Sequence, residues 1–193
     1  MPRVVVNSEF FMDQVSWDVL QEQILPELLS NTSKFRAWSA GCSIGKEPYS
    51  LEMLLQRWHP PEKHFLLATD YDEEALCRAK EGGPFSESDL RNVPDSLRAS
   101  CFIQSGVSYY IHERLTKSIT FRCHNLLEDA FEKDFDLILY RNVEPCISYE
   151  SRHNIANRLR SSLRQGGVLF VGATDTAIQG LERIGHTCLF RKT

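Results

Sequence analysis

The segment that decides the fold is 35-FRAWSAGCSIGKEPYS-50. It begins as a short buried strand, continues through a turn of small residues, and reaches Pro48, which suits a first helical turn because its missing N–H costs nothing there. Gly41 and Gly45 can adopt backbone angles closed to other residues and approach a ligand closely, while the helix start presents unpaired N–H groups to polar atoms. A strand, turn and helix in this order predict a cradle for a nucleotide.

A second apolar strand, residues 64–70, ends in an acid. Asp70 follows Gly45 at an interval near the ~20 residues of the dinucleotide fingerprint, where such an acid binds ribose. The turn has only two glycines instead of G-x-G-x-x-G, so a nucleoside without phosphates fits better than a pyrophosphate. S-adenosylmethionine is such a ligand, and Glu47 could meet its amino group. A tight turn without any ligand is the alternative.

Composition narrows the class of protein. With 193 residues, 42% of them hydrophobic, the chain can bury one core, and we expect residues 1–193 to form a single domain. A net charge of −4 without a dense Lys/Arg block argues against a nucleic-acid partner. No apolar run approaches the roughly 20 residues of a membrane span, and the start lacks a secretory signal. We therefore expect a cytoplasmic protein without membrane insertion.

The cysteines and histidines do not form a recognisable chemical site. The six cysteines are scattered without a C-x-x-C pair or a Cys/His cluster at zinc-ligand spacing, which predicts reduced thiols and no metal. The six histidines occur in unrelated local contexts, so we interpret them as structural or surface groups.

Hydrophobic periodicity predicts alternating helices and strands. Helices are expected at 13–29, 46–58, 72–80 and 149–163, with Pro26 kinking or ending the first; strands at 64–69, 118–123, 135–140 and 168–171, the last after a turn at 165–167; and an edge strand at 187–191. Residues 85–117 are polar and irregular. Repeated β/α units imply an α/β doubly wound sheet, where ligands bind at the switch point of the strand order. Gly41, Asp70, Asn125 and Asn142 would converge there.

Five ordered motifs resemble the CheR-type chemotaxis-receptor methyltransferases. They occupy residues 38–50, 68–70, 125–127, 135–143 and 166–175. The most specific are 45-GKEPYS-50, close to the family's G-E-E-P-Y-S, and 136–143, close to its F-D-L-I-x-x-R-N-V. The resemblance implies a class I, Rossmann-like methyltransferase fold and a cytosolic enzyme. It further implies methyl transfer from S-adenosylmethionine to glutamate carboxylates of a chemoreceptor's cytoplasmic region, leaving S-adenosylhomocysteine.

The turn and the resemblance together give the expected cofactor site, in which Asp70 lies on ribose and Asn125 near adenine. The candidate residues are Ser8, Ala40, Gly41, Glu47, Asp70, Asn125, Leu126, Asn142 and Val143. The two asparagines could instead cap turns, and Glu47 could stabilise a helix N-terminus. A glutamate acceptor is already ionised at neutral pH, so in-line placement and removal of water would suffice without a general base.

Three residues depart from the family pattern, and the first two, Met12 and Cys146, lie nearest the expected methyl transfer. Met12 stands where the family has an arginine, Cys146 where it has a tyrosine, and Lys46 where it has an acid. We therefore assign no catalytic residue. A catalytically weak or inactive regulatory module that binds S-adenosylmethionine or S-adenosylhomocysteine is one alternative. A nicotinamide-dependent Rossmann protein is another, and the missing third glycine counts against it.

An insert at about 99–117 completes the resemblance. Segments 101–103, 107–112 and 118–123 resemble the small β subdomain that some family members use to grip a receptor tail. A structural hairpin that covers the cofactor is the alternative. No segment resembles the family's N-terminal helical domain.

Overall fold

The computed structural model describes residues 8–143, 147–172 and 179–193. The strands in these ranges are β1 Phe35–Ala40, β2 His64–Asp70, β3 Phe102–Ser105, β4 Ser108–Ile111, β5 Ile119–Cys123, β6 Phe135–Tyr140, β7 Leu163–Val171, β8 Leu181–Arg183 and β9 Leu189–Lys192. Seven of them form one sheet in the order β5-β2-β1-β6-β7-β9-β8, and β3 pairs with β4 in a separate hairpin. From β5 to β7 neighbouring strands are parallel, whereas β9 is antiparallel to β7.

Helices α1 to α7 connect the strands. They are α1 Gln14–Val19, α2 Leu25–Ser30, α3 Lys46–Trp58, α4 Glu73–Glu81, α5 Asp95–Cys101, α6 Glu113–Ser118 and α7 Tyr149–Ser162. The predicted first helix is confirmed, and it continues past Pro26 as α2. A π-helical turn, Leu20–Ile24, joins α1 to α2 immediately before the proline. Pro26 has no N–H for the usual α-helical hydrogen bond, and the π-helical turn lies where this bond is missing.

The sheet buries two apolar layers, one on each face. Along β6, Leu137 and Leu139 belong to the core cluster that includes α3, while Ile138 and Tyr140 belong to the cluster that includes α7. All of β6 is buried, as expected for a central parallel strand covered by helices on both sides. The predicted α/β doubly wound fold is confirmed. The strand order reverses between β1 and β6, which defines the switch point.

The carboxyl-terminal part of the sheet differs from the prediction. The expected edge strand, β9, lies between β7 and β8, so the edge strand is instead the short β8. The expected turn at 165–167 lies inside β7, which begins at Leu163. The pairing of β6 with β7 shifts register between Phe135 and Leu137, so the glycine-containing stretch bulges without ending the strand.

The segment expected to be irregular contains regular structure. Residues 85–117 include α5, the β3–β4 hairpin and most of α6. Residues 118–123 were expected in the small β subdomain, but β5 pairs with β2 in the central sheet. The hairpin is fastened by Phe85, whose N–H and C=O bond to the backbone of Tyr109 at 2.8 Å each. It is also fastened by Phe10, whose ring meets Phe85 and Phe102 edge-on.

Across the described ranges, no helix has both the length and the apolar character needed to cross a membrane.

Candidate functional site

A cleft of about 590 Å³ opens at the carboxyl ends of β1, β2 and β6, at the switch point of the sheet. This is the size of a typical small-molecule site. The predicted cofactor residues that line it are Ser8, Gly41, Glu47, Asp70, Asn125, Leu126, Asn142 and Val143. Ala40 does not line it, because this last residue of β1 is 0% exposed and packs in the core with Trp38 and Tyr140.

The turn after β1 is held against the end of β2. The N–H groups of Gly41 and Cys42 both donate to the carbonyl of Thr69 at 2.8 Å. Gly41 has φ +86°, and a Cβ atom there would lie 2.4 Å from Cγ2 of Val143. The turn therefore passes so close to the segment after β6 that only glycine fits, which gives the cleft a floor of bare backbone.

Asp70 ties together the two loops that border the cleft. Its Oδ2 accepts a hydrogen bond from the Ser43 N–H at 2.7 Å, and its Oδ1 accepts one from the Asp72 N–H at 2.9 Å. Because each carboxylate oxygen can accept more than one hydrogen bond, these contacts orient the carboxylate and leave it able to accept ligand hydroxyls.

The Glu47 carboxylate is oriented by one residue of β1 and one residue that follows β6. Its Oε1 accepts a hydrogen bond from the Ser39 hydroxyl at 2.7 Å, and its Oε2 lies 3.9 Å from Nη1 of Arg141. The Arg141 side chain is only 4% exposed, stacks 4.2 Å from the ring centroid of Phe170, and donates to the Met12 carbonyl at 2.6 Å. Arg141 was not among the residues predicted to form the cofactor site. The available signal was a charged residue directly after a buried strand in which only Asp136 is charged.

An N-terminal segment, residues 8–13, crosses the start of α3, and we call it the strap. Ser8, Glu9 and Met12 of the strap line the cleft. The Lys46 ammonium, nearly buried, donates to the Ser8 carbonyl at 2.8 Å and to Asp89 Oδ1 at 2.6 Å. Lys46, which replaces a family acid, therefore fixes the strap instead of entering the cleft.

The strap has two further attachments. The Phe11 N–H donates to the hydroxyl of Ser50 on α3 at 3.1 Å. The Glu9 carboxylate accepts hydrogen bonds from Arg91 at 2.6 Å and Asn92 at 2.8 Å. The strap is thus bound to α3 and to the loop at 91–92, so its cleft-facing residues are held in place.

Met12 and Cys146 are the two residues nearest the expected methyl transfer that differ from the family pattern, and the structure describes only the first of them. Met12 lines the cleft, with its Sδ 3.3 Å from Nδ2 of Asn142. Asn142 has φ +58°, a left-handed conformation found mostly where the surrounding structure enforces it. Cys146 lies outside the described residues.

The loop after β5 brings Asn125 and Leu126 to the cleft. The Asn125 Oδ1 accepts the Leu127 N–H at 3.0 Å, which is the turn-capping role given above as the alternative. Capping uses the amide oxygen, so the amide nitrogen can still donate to a ligand. His124 also lines the cleft, and its ring packs edge-on against Trp38.

Cys42 lies in the cleft floor, and its environment keeps the thiol protonated. Burial raises its pKa well above the ordinary value, and the nearby negative charges of Asp70 and Glu47 raise it further. A thiol in this state is a poor nucleophile. Cys42 therefore has a packing role in the floor of the cleft.

The polar groups that line the cleft fit a nucleoside that carries a cationic group. Two lining carboxylates, Asp70 and Glu47, suit hydroxyls and an ammonium, and the bare backbone at Gly41 permits close approach. Glu9, Asp72 and Glu74 also line the cleft, so its acids outnumber its two arginines, Arg78 and Arg141, and a pyrophosphate would meet mostly like charge. The site therefore fits S-adenosylmethionine better than a dinucleotide.

Fold and cleft together define a nucleoside-binding, doubly wound α/β protein. Residues 7–187 match the family model described as CheR methyltransferase, SAM binding domain. The chain belongs to this family. The predicted CheR-type family and the predicted cofactor, S-adenosylmethionine, are confirmed, and the nicotinamide alternative loses its basis.

Two curated relatives show the extent of the similarity. A chemotaxis protein methyltransferase of Listeria monocytogenes is 40% identical over 174 residues, covering 89% of this chain and 66% of the relative. A chemotaxis protein methyltransferase of Borreliella burgdorferi is 34% identical over 182 residues, covering 88% and 64%. The chain thus spans just under two thirds of the length of these relatives.

Solved structures of low sequence identity also match. A TehB-like SAM-dependent methyltransferase from Corynebacterium glutamicum is 16% identical, with a TM-score of 0.49 over 92% of this chain and 93% of that one. The glycopeptide N-methyltransferase MtfA in complex with S-adenosylmethionine is 12% identical, with a TM-score of 0.46 over 76% and 47%.

Proposed function

We propose that this chain transfers the methyl group of S-adenosylmethionine to glutamate side chains of a chemoreceptor's cytoplasmic region, forming methyl esters in the cytoplasm. The observation that carries the proposal is the acidic, glycine-floored cleft at the switch point of a chain that belongs to the CheR methyltransferase family. The names of the relatives, chemotaxis protein methyltransferases, support the choice of acceptor.

In this proposal the lining residues bind different parts of S-adenosylmethionine. Asp70 accepts hydrogen bonds from the ribose hydroxyls, and Glu47 attracts the ammonium of the methionine part. Asn125 and Leu126 border the adenine. Gly41 lets the ligand lie directly on the backbone. Bound in this way, S-adenosylmethionine supplies an electrophilic methyl group on a sulfonium centre.

The chain's own contribution to the reaction is placement and exclusion of water. A glutamate acceptor has an ordinary pKa of about 4.3 and is ionised at neutral pH, so no proton must be removed. The strap closes one side of the cleft with the apolar side chain of Met12. Arg141 holds the Met12 carbonyl and lies near Glu47, so it links the strap to the group that binds the cofactor. Removing water from a carboxylate nucleophile increases its reactivity toward a methyl cation equivalent.

The names of the relatives give no support to the alternative of a non-catalytic regulatory module. The experiment that tests the proposal is transfer of a tritium-labelled methyl group from S-adenosylmethionine to a purified receptor cytoplasmic fragment. Methyl esters release volatile methanol in base, so base-labile label identifies the product. We expect base-labile label on the native fragment and none on a matched fragment in which the acceptor glutamates are glutamines. Label that resists base, or no label at all, would contradict the proposal.

A further inference from the structure

One guanidinium on α7 faces three carbonyl groups of the loop that links β5 to β6. Arg158 Nη1 donates to the Leu126 carbonyl at 2.7 Å and lies 3.5 Å from the Leu127 carbonyl, while Nη2 donates to the Asp129 carbonyl. The same guanidinium stacks over the ring of Phe131, 3.8 Å from its centroid. Arg158 therefore contacts the 124–131 loop at four points.

The inner hydrogen bonds of this loop explain why it needs an outer partner. The Asn125 side chain accepts the Leu127 N–H, and the Asp129 carboxylate accepts the Asn125 N–H at 2.8 Å. The Asp129 N–H in turn donates to the Asn125 carbonyl at 2.9 Å. These bonds close the turn through its N–H groups and leave later carbonyls to be satisfied from outside. A planar guanidinium with five N–H donors suits a set of neighbouring carbonyls.

We infer that Arg158 is a positioning residue that sets the adenosine end of the cleft. It does not line the cleft; it acts through Asn125 and Leu126, which do. The inference rests on the proposed function, because it assigns adenosine to the end of the cleft that these two residues border. The same helix also holds a lining residue outside this loop, since Arg152 Nε donates to the Ile147 carbonyl at 3.1 Å. Helix α7 thus fixes two separate parts of the cleft wall with arginine side chains.

The role requires the donor geometry of arginine and not only its charge. Lysine offers a compact ammonium that can reach one or two of the carbonyls but cannot stack flat on Phe131. Methionine keeps much of the side-chain length and removes all donors. A series from arginine through lysine to methionine should therefore weaken ligand binding in steps.

The test is calorimetric titration of the whole chain with S-adenosylhomocysteine, and with adenosine by displacement. The variants are Arg158→Met and Arg158→Lys. The matched control is Arg160→Met, which removes the same charge from the same helix at a side chain that lies against Gly180. We expect Arg158→Met to weaken both ligands by about tenfold, the effect of losing one charge-assisted hydrogen bond. Arg158→Lys should fall between it and the wild type, and Arg160→Met should bind like the wild type.

Equal weakening of adenosine and S-adenosylhomocysteine, in a variant whose circular dichroism and thermal unfolding match those of Arg160→Met, places the effect at the adenosine end, because an effect at the methionine end would spare adenosine. Wild-type affinity in Arg158→Met, or weakening of S-adenosylhomocysteine alone, would overturn the inference. Should circular dichroism show that Arg158→Met is unfolded, Arg158→Lys decides in the same way. A wild-type chain that binds both compounds but transfers no methyl group would contradict the proposed function only; one that binds neither would overturn this inference.

Discussion

Replacing Asp70 by alanine should affect ligand affinity and stability by separable amounts. In the folded protein its carboxylate accepts the N–H groups of Ser43 and Asp72. Losing two such bonds, at ~0.5–1.5 kcal/mol each, should lower the free energy of unfolding by about 1–3 kcal/mol. Losing the charged acceptor for ribose should cost a further ~1.5–3 kcal/mol of binding, which raises the Kd for S-adenosylhomocysteine by about 10- to 150-fold.

The assay pairs calorimetric titration with urea unfolding, and Thr187→Val serves as the control. The Thr187 hydroxyl donates to the Ile184 carbonyl at 2.6 Å and accepts the Leu189 N–H at 3.1 Å, in the turn between β8 and β9. Its loss should lower stability by a similar ~1–3 kcal/mol without touching the cleft. An Asp70→Ala protein that is destabilised like the control but keeps wild-type affinity would refute the assignment of Asp70 to ribose.

Three further outcomes are expected. Thermal unfolding should show that Gly41→Ala loses about 1–3 kcal/mol of stability from the positive φ alone. Adding Val143→Ala should recover part of any further loss. Full stability of Gly41→Ala would contradict the close approach between the turn and Val143. Glu47→Gln should weaken S-adenosylhomocysteine but not adenosine in displacement titrations, whereas equal weakening of both would move Glu47 away from the amino group. Burial alone would raise the pKa of Asp89, but hydrogen bonds from Lys46 and Ser86 hold this pKa below its ordinary value of 3.8. The stability that the ionised carboxylate contributes is present above pH 3.8 and is lost as the pH falls below it. Lys46→Met should therefore weaken the acid dependence of unfolding, and an unchanged pH profile would contradict the ion pair.

The elements nearest the cleft could be predicted from the sequence because local patterns determine them. α3 follows from the glycine-containing turn, Pro48 and an apolar stripe. β6 follows from a nearly all-apolar run in which only Asp136 is charged. Their positions fix the switch point, and with it the convergence of Gly41, Asp70 and Asn142.

Features set by tertiary contacts escaped prediction. β8 has only three residues and no alternation, so nothing in the sequence separates it from a loop, and β9 then takes an interior position that its own residues do not specify. Ala40 was expected in the cleft, but the direction of its side chain follows from strand register. Lys46 and Arg141 act on carbonyls of the strap, and main-chain partners distant in the sequence leave no pattern in it.

The central claim is that the cleft at the switch point binds an adenosyl cofactor. Calorimetric titration of the wild-type chain with S-adenosylmethionine and S-adenosylhomocysteine, with NAD as the control ligand, tests it most directly. We expect both adenosyl compounds to bind at one site per chain with micromolar affinity, and NAD not to bind. Absence of binding by both adenosyl compounds, or tighter binding of NAD, would contradict the account.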